Sequence, residues 1–379
     1  MKRIAILVET SLASGRGILD GISRYVDERP DWSVFQHVGP LGAMSSEALR
    51  DWQGDGIIAR IANPESLAII QEKNLPTVDV LGNISPLPYP LFKCNDSAIG
   101  KSVAEHFLES AHKNFAFIGL GNERWSIERE EAFTKEIEVN QYKVASFHME
   151  KRLTDHMLSG DSFEAIKSWL RTLPLPTGIM VASDQFGPIL FEACHQLKLS
   201  IPDRVSVVGV DNDGPFSNLC RPRLSSIMPD HEQVGYLAAK GLSDLIEGRE
   251  LPKKVVEVDK HTLHRRISSE FVAIEDPSTL TAIKYIREQA SNSPSLDEVA
   301  KVSGLSRSVL QRRFRHHLNR TVGDLILSEK LRLAREMLSS TDLPIAVIAE
   351  RTGLNSQEYM NRIFKQHLQT TPRKYRLHL

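Results

Sequence analysis

Leu296-Asp-Glu-Val-Ala300-Lys-Val-Ser-Gly304-Leu-Ser306 is followed by an amphipathic run over 307–318, and the same design returns as Ile345-Ala-Val-Ile-Ala349-Glu-Arg-Thr-Gly353-Leu-Asn355, followed by 356–368. Val299-Ala300 and Ile348-Ala349 stand at equal distances before Gly304 and Gly353, while Phe314 and Phe364 follow Gln311-Arg312 and Asn361-Arg362. A small residue in the first helix and a glycine in the turn let two helices cross closely. The second helix is then held out to enter a major groove. Two such units in one chain predict two successive groove contacts with double-stranded DNA.

The charge distribution agrees. The whole chain of 379 residues has a formal net charge of −1, yet residues 281–379 hold 17 Lys+Arg against 9 Asp+Glu, and the first 280 hold 30 against 39. A basic C-terminal module suits phosphate neutralisation, and an acidic remainder suits a domain that does not touch DNA. Cys94, Cys194 and Cys220 are too few and too scattered for a disulfide framework. Met1-Lys-Arg-Ile-Ala-Ile-Leu-Val8 reads as a buried first strand, and no stretch has the ~18 apolar residues of a membrane span. The expectation is a soluble, cytoplasmic protein with no membrane partner.

Over 1–269, β-rich runs at 4–8, 56–59, 77–80, 115–118, 178–181 and 205–210 alternate with helical patterns at 18–26, 99–109, 129–139, 162–170, 188–197 and 231–246. Such alternation predicts right-handed βαβ units and parallel sheets covered on both faces. The length predicts two lobes, with chain crossovers near 112–115, 224–227 and 253–259. Residues 270–280, with Asp276-Pro277, read as a linker, and 281–379 as an all-α domain with two helix-turn-helix motifs. Gly119-x-Gly121 lacks the third glycine of a dinucleotide fingerprint and reads as a turn.

The last hundred residues resemble the AraC/XylS-type DNA-binding domain, through both turn motifs, the connecting helix 325–338 with Arg332-Leu-Ala334-Arg335, and Phe364-Lys365…Thr371-Pro372-Arg-Lys-Tyr375-Arg376. The first 270 resemble the sugar-binding domain of LacI/GalR regulators, a type I periplasmic-binding-protein-like fold. That likeness rests on Asn95-Asp96…Gly100…His106-Phe-Leu108, Arg129-Glu-Glu-Ala-Phe133, Ser183-Asp184-Gln185, Val205-Ser-Val-Val-Gly-Val-Asp211 and Leu224-Ser-Ser-Ile227. In this order, the two halves resemble AraC-family regulators of the xylose operon type. In the first loop the chain departs from that pattern: Ser11, Ala13, Ser14 and Gly15 stand where the family favours Asn and an aromatic, which leaves the identity of the sugar open.

The resemblance implies that Arg129 grips vicinal sugar hydroxyls, a geometry Lys does not reproduce. A surface salt bridge to Glu130 or Glu131 is the plainer alternative. Asp211, ending an apolar strand, can accept from two hydroxyls or cap a turn. Ser183 and Asp184 follow the 179–182 strand, either as ligands or with one of them capping the next helix. Trp125 is a stacking platform or a core residue. Ser11 and Arg16 lie at the mouth of the expected cleft. His231, His261 and His264 make no metal set and read as surface residues. No Walker loop, nucleophile elbow or paired catalytic carboxylates stand out, so neither enzyme chemistry nor a cofactor is expected.

In the DNA-binding half, Arg307, Ser308, Gln311 and Arg312, then Gln357, Glu358, Asn361 and Arg362, lie opposite the apolar faces of their helices and read as base-contacting positions. Arg313, Arg315, Lys365, Arg373 and Lys374 read as phosphate contacts. The chain thus reads as a sugar-responsive transcriptional regulator, an activator by resemblance. Its partners are DNA, a sugar effector, RNA polymerase and a second copy of itself as a homodimer. Alternatives are a regulator of another sugar or of a nucleoside, a constitutive DNA-binding protein whose first part only dimerises, and a sugar enzyme with an appended DNA-binding domain.

Overall fold

The structure is a computed structural model that describes residues 1–36, 52–80, 82–110, 112–149, 160–252, 254–270, 276–318, 320–368 and 370–377. The chain forms two compact units, Met1–Val272 and Ala273–Leu379.

The first unit runs β1 (Lys2–Leu7), α1 (Ala13–Asp27), β2 (Trp32–Gln36), β3 (Gly56–Ala59), α2 (Pro64–Lys73), β4 (Thr77–Asp79), β5 (Leu91–Cys94) and α3 (Asp96–Glu109). Then come β6 (Phe115–Leu120), α4 (Arg124–Val139), β7 (Val144–Met149), α5 (Gly160–Thr172), β8 (Thr177–Val181), α6 (Gly187–Gln196) and β9 (Val205–Val210). It closes with α7 (Gly214–Ser217), β10 (Ser225–Pro229), α8 (His231–Ile246), β11 (Val255–Val258) and β12 (His261–His264). Two six-stranded sheets result, ordered β11-β5-β4-β3-β1-β2 and β12-β10-β9-β8-β6-β7. Among the described residues every pairing is parallel except β10 with β12. Strands such as Phe115–Leu120 and Val205–Val210 are buried along their whole length because helices cover both faces.

The crossovers differ from expectation. The chain leaves the first sheet after β5, and α3 packs on α4 of the second lobe, so the first crossover is at Asn95 rather than at 112–115. The second follows β10, at Asp230 rather than at 224–227, because α8 packs on α1 and on the first sheet. A helix belongs to the sheet whose apolar face it buries, so the chain must change lobe before that helix begins. The third crossover, between β11 and β12, falls within or just past the expected 253–259, of which residue 253 lies outside the described residues. Gly119 lies inside β6, where a Cβ would stand 2.4 Å from Ser126 Oγ, while Gly121 is in the turn that follows the strand.

Among its described residues the second unit has helices and no strand: α9 (Pro277–Gln289), α10 (Leu296–Ser303), α11 (Arg307–Leu318), α12 (Val322–Ser340), α13 (Ile345–Arg351), α14 (Gln357–Leu368) and α15 (Pro372–Leu377). Of the expected linker, residues 271–275 lie outside the described residues, and α9 already begins at Pro277, with the Asp276 side chain capping it. Capping boxes at Ser295/Glu298 and Thr321/Asp324 fix where α10 and α12 start. Gly304 and Gly353 have φ of 67° and 69°, the left-handed helix-ending conformation that glycine adopts without a Cβ penalty. At Gly353 a side chain would also strike Ser291 O, 2.5 Å from its Cβ position. Val299, Ala300, Leu310 and Phe314 are buried around the first turn, and Ile348, Ala349, Leu354, Met360 and Phe364 around the second. No described helix is long and apolar enough to cross a membrane.

Candidate ligand cleft and nucleic-acid interface

Between the two lobes of the first unit lies a cleft open to solvent, lined by apolar and charged side chains of both lobes. One wall comes from the first lobe: Leu12, Ser14, Ile18, Arg60, Val80, Lys93, Cys94, His231 and Val234. The other is Asp96, Trp125, Arg129, Ser183, Gln185 and Asp211.

Arg129 is placed by close helix packing. Gly100 of α3 sits against the backbone of α4, where a Cβ would stand 2.2 Å from Arg129 O. This approach brings Asp96, in the first turn of α3, to Arg129 Nε at 2.8 Å. Arg129 Nη1 donates to Ala182 O at 2.6 Å, and its guanidinium carbon lies 4.9 Å from the centre of the Trp125 ring. The side chain is buried, and its partners are Asp96 and Ala182 rather than Glu130 or Glu131. Trp125 Nε1 donates to Glu123. Arg129 Nη2 stands 4.0 Å from Asp211 Oδ1. That gap is too wide for a direct hydrogen bond, and a hydroxyl oxygen between the two groups can accept from one and donate to the other.

Asp211 follows β9 with φ 98° and Asn212 has φ 48°, two successive residues in the left-handed region. Its carboxylate accepts from Ser183 Oγ at 2.9 Å and lies 3.3 Å from His231 Nε2. Burial acts to raise its pKa, but His231, Arg129 and Ser183 hold it down at about 2. His231 is a wall of the cleft and not a surface residue. Burial opposes its charge, yet the Cys94 sulfur and Asp211 raise it to about 10. Its position follows from the second crossover, which points the first residue of α8 back into the cleft. His261 and His264 are half-buried on β12, and burial lowers His264.

Lys93, Asp96 and His231 went unseen as site residues in the sequence. Lys93 interrupts an otherwise apolar strand, which is the available signal. Its Nζ lies 3.1 Å from Asp96 Oδ2, in contact with Glu128, and 3.7 Å from Glu257 Oε1. Burial acts against its charge, and Asp96 and Glu128 outweigh it, so the pKa is raised.

Three expected ligand residues stand outside the cleft wall. Asp184 is fully buried beneath it: Ser226 Oγ and Asp213 N donate to its carboxylate at 2.7 and 2.8 Å. Burial and the nearby Asp211 push its pKa well up. It holds the loop after β9, and neither it nor Ser183 caps the following helix. Ser11 is exposed and donates to Glu9. Arg16 donates to Thr10 O, Ser11 O and, across the cleft mouth, Asp213 Oδ1 at 2.8 Å. Asp213 also accepts from Ala13 N at the start of α1, so these residues tie one lobe to the other.

In the second unit, Arg307, Ser308, Gln311 and Arg312 are exposed along α11, and Gln357, Glu358 and Arg362 along α14, with Asn361 half-buried. Arg307 is paired with Asp297 of α10, and Arg362 lies over the Tyr359 ring at 5.1 Å. Of the expected phosphate contacts, Arg315, Lys365, Arg373 and Lys374 are exposed, whereas Arg313 Nη1 donates to Asp276 at 2.5 Å and helps anchor α9. Lys330 of α12 donates to Gly353 O at 2.8 Å, fixing the second turn to the connecting helix.

Three family models match. They are a XylR N-terminal domain over residues 3–93, a periplasmic binding protein-like domain over 104–269, and a helix-turn-helix domain over 299–378. The chain is 29% identical over 383 residues to the xylose operon regulatory protein of Haemophilus influenzae, covering 99% of this chain and 98% of that one. It is 38% identical over 96 residues to the regulatory protein SoxS of Salmonella typhimurium, 25% of this chain and 90% of that one. Among solved structures, a xylose-binding transcription activator matches with a TM-score of 0.77 and 29% identity, over 99% of this chain and 97% of that one.

Proposed function

From the premise that the chain belongs to the AraC/XylS family of transcriptional regulators, in its xylose operon regulator type, we propose that a neutral pentose, xylose in the first place, is the effector bound between its lobes. The protein is a sugar-responsive, sequence-specific DNA-binding regulator. In our reading it acts in the cytoplasm as a homodimer, activates through RNA polymerase, and binds its sugar without turning it over. In that reading the sensing part is the unit Met1–Val272 and the DNA-binding part the unit Ala273–Leu379.

The observation that carries the sugar assignment is the 4.0 Å gap between Arg129 Nη2 and Asp211 Oδ1, which suits a hydroxyl acting as both acceptor and donor. The chemistry around it favours a neutral ligand. Each cation of the wall already faces an anion: Arg60 faces Glu9 at 3.9 Å, Lys93 faces Asp96 at 3.1 Å, Arg129 faces Asp96 at 2.8 Å, and His231 faces Asp211 at 3.3 Å. A sugar acid would bring a further negative charge to a charge-balanced cleft. Leu12, Ile18, Val80 and Trp125 supply apolar surface for a ring face. Calorimetry with xylose, other pentoses, hexoses and a hexuronate tests this; tighter binding of the hexuronate than of any neutral sugar would overturn it.

For DNA, α11 and α14 are the proposed reading helices. Arg312→Ala and Arg362→Ala are each expected to cost about 1–3 kcal/mol and to relax preference at base pairs in different major-groove segments. Lys365→Ala should weaken binding evenly across sequences and lower its salt dependence. Footprinting of the two arginine variants decides it, because loss of protection over the same base pairs would exclude one helix per groove.

A further inference from the structure

Cys94 ends β5 at the first crossover and lines the cleft. Its Sγ lies 3.4 Å from His231 Nδ1, and Nε2 of the same ring lies 3.3 Å from Asp211 Oδ1. Sulfur, imidazole and carboxylate therefore stand in the order of a nucleophile, a proton carrier and an orienting group. Cys194 and Cys220 have no such setting. All three cysteines are buried, but neither Cys194 nor Cys220 lines the cleft, and burial pushes both of those thiols up to about 12.

We propose that Cys94 is a peroxide-reactive thiol within the effector cleft, and that its oxidation switches off the response to sugar. The reactant is hydrogen peroxide, small and uncharged, able to enter a cleft whose charges are already paired. The sulfur attacks one peroxide oxygen; an S–O bond forms as the O–O bond breaks. The proton given up by the thiol rests on His231 Nδ1 and passes to the departing hydroxide, which leaves as water. Sulfur loses two electrons, the peroxide gains them, and Cys94 becomes a sulfenic acid that a dithiol reduces again. The added oxygen occupies the space between Cys94 and His231 and turns the ring away from Asp211. One partner of the gap that grips the hydroxyl is thereby disturbed. This loss of sugar binding rests on the cleft being the effector site; the reactivity of the thiol does not.

The test treats the full chain with hydrogen peroxide, traps sulfenic acid with dimedone and maps the three cysteines by mass spectrometry. Cys94 is expected to label at least about tenfold faster than Cys194 or Cys220, and His231→Gln to slow it by a similar factor. Saturating xylose should protect Cys94, and peroxide-treated protein should lose xylose affinity in calorimetry until dithiothreitol restores it. Equal labelling of the three cysteines overturns the proposal, as does labelling of Cys94 with xylose affinity unchanged. Should His231→Gln fail to fold, the comparison of the three cysteines in the unaltered chain decides. If untreated protein binds no xylose, the sugar assignment has failed, and the labelling rates alone judge the thiol.

Discussion

Arg129→Ala is expected to weaken xylose binding at least about 100-fold, on the order of 3 kcal/mol. The effect is large because two losses coincide. The sugar hydroxyl loses a charge-assisted donor. Asp96, 2.8 Å from Arg129 Nε, and Asp211 beyond it each lose one of two neighbouring cations, and keep Lys93 and His231 respectively. Arg129→Lys should recover little, since an ammonium cannot serve Asp96, Ala182 O and a hydroxyl together from one plane. Calorimetry gives the affinity, and urea unfolding of the same samples separates lost binding from lost folding. DNA affinity without sugar should stay within a factor of about two, for the proposed reading helices lie in the second unit. A variant that folds and binds xylose at full affinity would remove Arg129 from the site.

The second large effect is a stability optimum near neutrality, with steep losses on both sides. Burial lowers His106 and His112 to about 4; Arg265 and His112 add to the effect on His106. In the unfolded chain both rings protonate near 6.5. The unfolded state therefore takes up protons first, and stability present above pH 6.5 is lost as the pH falls to about 4. Each ring is worth on the order of 3 kcal/mol at 1.36 kcal/mol per unit. His231 acts in the opposite direction. Raised to about 10 in the fold by Cys94 and Asp211, it contributes stability that is fully present below pH 6.5 and lost as the pH rises through 10. Urea midpoints between pH 4 and pH 10 should trace both limbs. His231→Gln should flatten the alkaline one and His112→Asn the acid one; an unaltered alkaline limb in the first variant would assign that loss to other groups.

The fold was legible wherever burial leaves an uninterrupted signature. Strands β3 and β9, and α8, begin and end where the apolar pattern does. Strand β5 escaped because Lys93 breaks its run, and β7 escaped because, as a sheet-edge strand, it has no buried residue. The turn motifs were legible because glycine favours the left-handed conformation of a helix-ending turn, and Gly304 and Gly353 mark both. The cleft was half legible. Arg129, Asp211, Ser183 and Trp125 line it, but they were found by likeness and by their place beyond strand ends. Asp184 looked equivalent to Ser183 and points the other way, since successive side chains after a strand face opposite sides. Lys93, Asp96 and His231 sit beside crossovers, and a sequence read one element at a time does not say which lobe a helix will join.

The three crossovers also bear on how such a chain can be cut and recombined. Each lobe is assembled from separated stretches of sequence, so no single break releases one lobe whole; a fragment ending at Asn95 or Asp230 would strand a half-covered sheet. The helical unit from Ala273 to Leu379 is one continuous piece. Inheritance and engineering therefore face an asymmetry. The reading head can be exchanged at one junction, while the sensing part travels entire or not at all, and new effector preferences must arise by point substitution along the cleft.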